Sequence, residues 1–173
     1  MSNDEWRTPP WLFTRLTDWF CLDYDAAATE ANALCVAYSD RRGTWGPSPV
    51  TGYYPERLSD DDGLTMSWAG RRVFLNPPYS RGSMMRWMAK AWSERESAQI
   101  IVALVKFDPT TRWWQRYIGL NGEHAIVLPV PVRLKHSDAE AGAPWPSAVV
   151  IWRRSLDVRS TRANHRGEKG GGE

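Results

Sequence analysis

Cysteine is nearly absent from this chain: Cys21 and Cys35 are the two among 173 residues. That argues against a disulfide scaffold and against a cysteine metal centre, and leaves reduced intracellular thiols as the default. No apolar run approaches membrane-spanning length. Met1 to Trp6 is polar and acidic, unlike a signal sequence, so a cytoplasmic protein is expected. Charge of one sign is also scarce. The formal net charge is +2, too mild to announce a nucleic-acid partner by itself. Arginines nevertheless stand in pairs at Arg41-Arg42, Arg71-Arg72 and Arg153-Arg154, with Arg81 and Arg86 further along. They either meet phosphates or sit solvated on the surface.

What the chain has in plenty is tryptophan, eleven in all. Not all can be core, and one or two offer flat faces for a base. The length suits one domain with a real core. Leu12, Phe13, Leu16 and Phe20 recur at helical spacing after Thr8-Pro9-Pro10, where Thr8 suits an N-cap and proline is tolerated in the first turn. Phe20 to Asp23 reads as a first strand ending in carboxylates, Asp23 and Asp25, and Glu30 to Val36 as a short helix. An aspartate at a strand end is more often a cap or turn former than a ligand. Ser39 to Tyr54 reads as a long loop mixing aromatic and basic residues, a candidate DNA-contacting segment or a ligand-free excursion. Ser59 to Leu64 is an acidic turn without EF-hand spacing. Met84, Trp87, Met88, Ala91 and Trp92 give Gly82 to Glu96 a helical stripe. Ile100 to Val105 is a strand of parallel-sheet character. Asp108-Pro109 opens a helix carrying Trp113, Trp114 and Tyr117. Ala125 to Leu128 and Ala148 to Trp152 are further strands, and the alternation argues for a βαβ sheet. Arg154 to Glu173 loses its apolar residues and reads as a disordered tail after a single domain over 1–153.

The stretch that organises these parts is Val73-Phe74-Leu75-Asn76-Pro77-Pro78-Tyr79-Ser80. Three strand formers run into a polar acceptor, two prolines and an aromatic. Asn76 offers a neutral carbonyl acceptor, the prolines have fixed φ and carbonyls free to accept, and Tyr79 offers a ring for stacking. Two acceptors and a ring match the exocyclic amino group of a base. A plain turn, or a polyproline segment read by a partner, is the alternative.

Asn76-Pro77-Pro78-Tyr79 resembles the catalytic motif of amino-group methyltransferases that use S-adenosylmethionine. The wider chain resembles the small phage-type DNA N6-adenine methyltransferases, some of which serve restriction-modification. The matching pieces run in order: Trp6 to Phe13, Leu22-Asp23 with Ala26-Ala27-Ala28, Asn32-Ala33, Asp61 to Leu64 with Trp68, the Asn76 motif, Trp113-Trp114 and Ala143 to Ala148. The resemblance covers roughly residues 5 to 153. It implies an α/β, Rossmann-like S-adenosylmethionine-dependent methyltransferase fold, one compact sheet flanked by helices. It also implies DNA as partner, with no metal and no membrane. Asn76, Pro77, Pro78 and Tyr79 would be catalytic. Thr8 and Pro9 would touch the methionine end of the cofactor, and Asp62 and Leu64 would lie near its adenine, with Trp68 lining the same pocket; Asp23 and Asp25, as carboxylates at a strand's end, could bind its ribose hydroxyls or ammonium, and Ala26 would permit its close approach. Asn76 would face the cofactor as well. The chain departs from the wider pattern in one respect. No glycine stands between Met1 and Arg42, so the alanines would have to replace the glycine-rich cofactor loop. RNA or a protein glutamine could present a similar amino group, and an inactive nucleic-acid-binding protein could keep the same fold.

Overall fold

The computed structural model describes residues 7–28, 32–39, 56–57, 62–80, 82–119, 125–130 and 145–154. The expectations placed on Met1 to Trp6, on most of the Ser39 to Tyr54 loop, on Ser59 to Asp61, on Arg81, on Arg133 to Ala143 as a second stretch with room to carry sequence specificity, and on the tail beyond Arg154 lie outside them.

Helix α1 (Pro10–Phe20) starts one residue later than its sequence signature suggested. Pro9, extended, is the N-cap, and Pro10 takes the first helical position, where a missing N–H costs nothing. Thr8 therefore does not cap the helix; it is buried, and its hydroxyl is used elsewhere. Leu12, Phe13 and Leu16 form the buried face. The helix stops at Cys21, whose φ of 47° is left-handed and whose N–H donates to the Thr17 carbonyl. Glycine usually takes this position; here a small side chain does.

The first three strands are short: β1 (Tyr24–Asp25), β2 (Ala37–Tyr38) and β3 (Glu56–Arg57). Thus β1 begins past the expected Phe20–Asp23 run. The short helix expected over Glu30 to Val36 does not form among the described residues, where Asn32 alone has 3-10 geometry and bends follow. The reason is local: the Asp25 carboxylate accepts the Leu34 N–H at 3.1 Å, taking a donor that a helix would need.

Strand β4 (Arg72–Leu75) leads into the Asn76 loop, α2 (Ser83–Glu94) follows, and β5 (Ile100–Lys106) is the longest buried strand with a parallel partner. The next helix was expected from Asp108. It opens instead at α3 (Arg112–Trp114), with Thr111 as N-cap, and continues as a π-helical turn, Gln115–Gly119. The Asp108 carbonyl accepts both the N–H and the hydroxyl of Thr111, which closes a separate turn before the helix. Strands β6 (Ala125–Val130) and β7 (Ser147–Arg153) complete the described elements.

All strands join one sheet in the order β3-β2-β1-β4-β5-β7-β6. The pairs from β3 to β5 are parallel, whereas β7 runs antiparallel to both β5 and β6. Alternation along β4 and β5 divides two cores. Phe74, Val102 and Leu104 meet Leu12, Phe13 and Leu16 of α1 on one face. Val73, Leu75, Ile101 and Ala103 meet Met84, Trp87, Met88 and Ala91 of α2 on the other, with Trp114 and Ile118 beside them. Each Val, Leu, Ile, Phe or Met side chain among them, fully buried, contributes about 1.5–3 kcal/mol. Trp68 belongs to this second core: it is fully buried and its indole N–H donates to the Gly63 carbonyl at 2.9 Å. The ligand-lining place suggested for it is thereby corrected to a structural one. Helices on both faces of one sheet give the α/β, Rossmann-like arrangement that the sequence implied.

Candidate active site

In an open α/β sheet the strand order reverses at one point, and ligands settle in the crevice beyond the carboxyl ends there. Here the reversal lies between β1 and β4, since the chain runs outward through β2 and β3 before returning to β4 and β5. A hollow of about 90 Å³ opens at that place, bordered by Asp25 at the end of β1, Phe74 and Asn76 at the end of β4, and Thr8, Ala27 and Asn32.

Asn76 is anchored through both ends of its amide. Its Nδ2 donates to the Thr8 hydroxyl at 3.2 Å, and its Oδ1 accepts from the Tyr79 hydroxyl, also at 3.2 Å. The amide is held from both ends, with the carbonyl toward Tyr79. The Tyr79 hydroxyl lies equally close, 3.2 Å, to the Leu104 carbonyl on β5. Burial pushes its ionisation far up, so it remains a donor at any working pH. Pro77 is buried and Pro78 half-buried. The sequence singled out Tyr79 for its ring; that its hydroxyl orients Asn76 was not visible there.

Asp25 and Asp23 separate sharply. Asp25 is buried at the floor of the hollow, with the Leu34 N–H on one carboxylate oxygen. Loss of solvent pushes its pKa up to about 7, against the lowering by the Leu34 and Ala27 amides. Asp23 lies at the other end of the strand, where its Oδ1 accepts the Arg72 N–H at the start of β4. It ties two strands together and does not reach the hollow. Ala26 is buried with its N–H on the Phe74 carbonyl, while Ala27 and Ala28 border the hollow. Asp62 and Leu64 do not border it. Asp62 Oδ1 accepts the Leu64 N–H, and Gly63 between them packs against the Ala26 carbonyl. A buried pair and a half-buried neighbour lie close by: Tyr24 Oη donates to Ser39 Oγ at 2.8 Å, and that hydroxyl lies 3.0 Å from Met66 Sδ.

The raised pKa of Asp25 has a stability consequence whose sign is fixed. The native carboxyl holds its proton up to about pH 7, whereas the unfolded chain releases it near pH 4. Between those values the unfolded state binds fewer protons, so this group's contribution to stability falls as pH rises from 4 to 7 and then levels. In Asp25→Asn, which keeps an acceptor for Leu34, that decline should vanish. Melting temperatures of both proteins across pH 4 to 8 would check it; parallel curves would show that Asp25 does not titrate this way.

On the far side of the loop a second hollow, about 330 Å³, is bordered by Tyr79, Ser80, Met84, Lys106, Asp108 and Arg112. The Tyr79 ring meets Trp145 edge to face, centroids 5.6 Å apart. The four-residue motif thus stands between two hollows, with Asn76 on one and Tyr79 on the other. Among the described residues, no group of acidic, histidine and cysteine side chains is arranged to hold a metal, and no helix is long and apolar enough to cross a membrane.

A family model described as DNA N-6-adenine-methyltransferase (Dam) matches residues 50–165. This chain belongs to the Dam family. The Dam-family match takes in β4 to β7, the Asn76 loop and the second hollow; Thr8 and Asp25 of the first hollow precede it. A solved structure, a putative methyltransferase (yhhF) from Escherichia coli, is similar at 12% identity over 88% of this chain and 91% of that one, with a TM-score of 0.46. No curated protein matches the chain. As a Dam-family protein the chain is a methyltransferase, and its sheet has the Rossmann-like form of one.

Proposed function

We propose that this protein methylates the N6 amino group of adenine in DNA, with S-adenosylmethionine as donor. The observation that carries the reading is the Asn76 amide, fixed between Thr8 and Tyr79 at the carboxyl end of β4 and flanked by two hollows. The first hollow fits the cofactor in its chemistry. Asp25 puts a buried acceptor at its floor, suited to ribose hydroxyls or an ammonium, and Ala27 and Ala28 keep its wall low where glycines are lacking. Thr8 and Asn76 would face the methionine end. Pro9, Ala26, Asp62 and Leu64, of the set proposed from the sequence, would act at one remove, and Asp23 stands apart from the hollow. S-adenosylmethionine, when bound, supplies an electrophilic methyl group on a sulfonium.

The chain's own residues would do the rest. The N6 lone pair of adenine is delocalised into the ring and is a poor nucleophile. Asn76 Oδ1 would accept one N6 hydrogen, and the Pro77 carbonyl would accept the other. Both acceptors draw the amino group out of conjugation and aim it at the first hollow. Asn76 is neutral, so it acts as an acceptor and not as a base. The target base would leave the duplex to reach this place, at about a few kcal/mol, and enter on the Tyr79 side.

The test is methyl incorporation from labelled S-adenosylmethionine into unmethylated DNA, with the digest resolved into N6-methyladenine, N4-methylcytosine and 5-methylcytosine. Label in N6-methyladenine is expected. Label taken up by RNA or by protein glutamine, and not by DNA, would redirect the substrate. Failure to bind the cofactor at all would leave a nucleic-acid-binding protein of this fold.

A further inference from the structure

The second hollow contains a cation that the reaction above does not use. Lys106 ends β5, and its ammonium sits 3.7 Å from the Trp145 ring centroid and 5.2 Å from that of Tyr79. Two electron-rich faces hold the charge in place. Among the described residues no carboxylate forms an ion pair with it. Partial burial lowers its pKa, and Asp108 nearby opposes that shift only in part. An ammonium braced by rings keeps its charge available and fixes where an anion can approach. The Tyr79 ring on the same wall offers the flat face that a base needs. Stacking ring plus fixed cation is the combination by which extruded or single-stranded nucleic acid is held.

We propose that Lys106 binds a backbone phosphate of the target nucleotide or its neighbour, so that the second hollow takes the extruded nucleotide by its phosphate as well as its base. A base and its own phosphate are joined through one sugar, so neighbouring binders on one wall can engage both. Arg112, exposed at the rim of the hollow, adds attraction there. The inference rests on the DNA reading proposed above.

The experiment is DNA affinity by fluorescence anisotropy between 50 and 200 mM salt, for wild type, Lys106→Met and Lys106→Arg, with thermal melts of each. One lost phosphate contact lowers the slope of log affinity against log salt by about 0.9. Lys106→Met should show that drop, with affinity weakened about tenfold at low salt, since the whole effect is electrostatic. Lys106→Arg keeps the charge and the ring contacts and should keep the slope. Cofactor affinity, read by calorimetry, should be the same in all three. A folded Lys106→Met protein with the wild-type slope would overturn the phosphate contact alone. If Lys106→Met does not fold, Lys106→Gln, which removes the charge and keeps a polar tip, takes its place: the same drop in slope is expected, and a wild-type slope overturns the contact. Wild-type protein without affinity for DNA would overturn this inference together with the reading beneath it.

Discussion

Asn76→Ala is expected to lose methyl transfer by about 10²- to 10³-fold, the usual cost of deleting one hydrogen-bonding group that acts on the reacting atoms. The variant removes the acceptor proposed for the amino hydrogen, and it also releases Thr8 and Tyr79 from the amide between them. Asn76→Asp makes the argument sharper. It keeps an acceptor facing Tyr79, and the Thr8 hydroxyl can turn to donate instead of accept. It should therefore retain part of the activity that alanine loses. Single-turnover rates with saturating DNA and cofactor would separate the two. Equal residual rates in Asn76→Ala and wild type would remove Asn76 from the reaction, and equal rates in the two variants would show that geometry matters more than the acceptor.

The second large effect is on folding. A Cβ on Gly63 would lie 1.9 Å from the Ala26 carbonyl oxygen and 2.9 Å from its carbon. Both are backbone atoms of the turn leaving β1, so neither can step aside as a side-chain tip would. Inserting one methyl into a packed site costs about 1–3 kcal/mol and occasionally more, and this approach belongs at the upper end. Gly70 supplies the contrast. Its φ of 72° is left-handed, yet nothing lies within 4 Å of a Cβ there. Gly70→Ala should cost only the conformational term, about 1–2 kcal/mol. Urea midpoints of both variants against wild type would test the ranking. Equal, small losses would mean that the turns at Asp62 and Ala26 part easily.

Much of the architecture could be read from the residues because it is written locally. Val73-Phe74-Leu75 before Asn76, the Met84 to Ala91 stripe and the Ile100 to Val105 run each carry their own period or burial signal. Strands β1, β2 and β3, two residues each, are too short to carry one; their place is set by pairing with distant neighbours. The same reason made Asp23 and Asp25 look alike. One stands just before β1 and the other ends it, and what separates them is their place against β4, where Asp23 meets Arg72 and Asp25 pairs with Phe74. Thr8 looked like a cap because it precedes two prolines, while its real partner is far along the chain at Asn76. Lys106 gave no sign at all, since its meaning comes from Tyr79 and Trp145, both remote in sequence. The alanine run, by contrast, is a local signal, and Ala27 and Ala28 border the first hollow.

The position of β7 has a consequence for how the molecule is made. It follows β6 in the chain but lies between β5 and β6 in the sheet, paired antiparallel to each. While the ribosome has released β6 but not β7, the emerging chain has a strand with no place to dock, and β5 presents an unpaired border. The sheet is therefore completed by insertion and not by addition at its rim. Every residue up to Arg153 must be out of the exit tunnel before that side of the molecule can close.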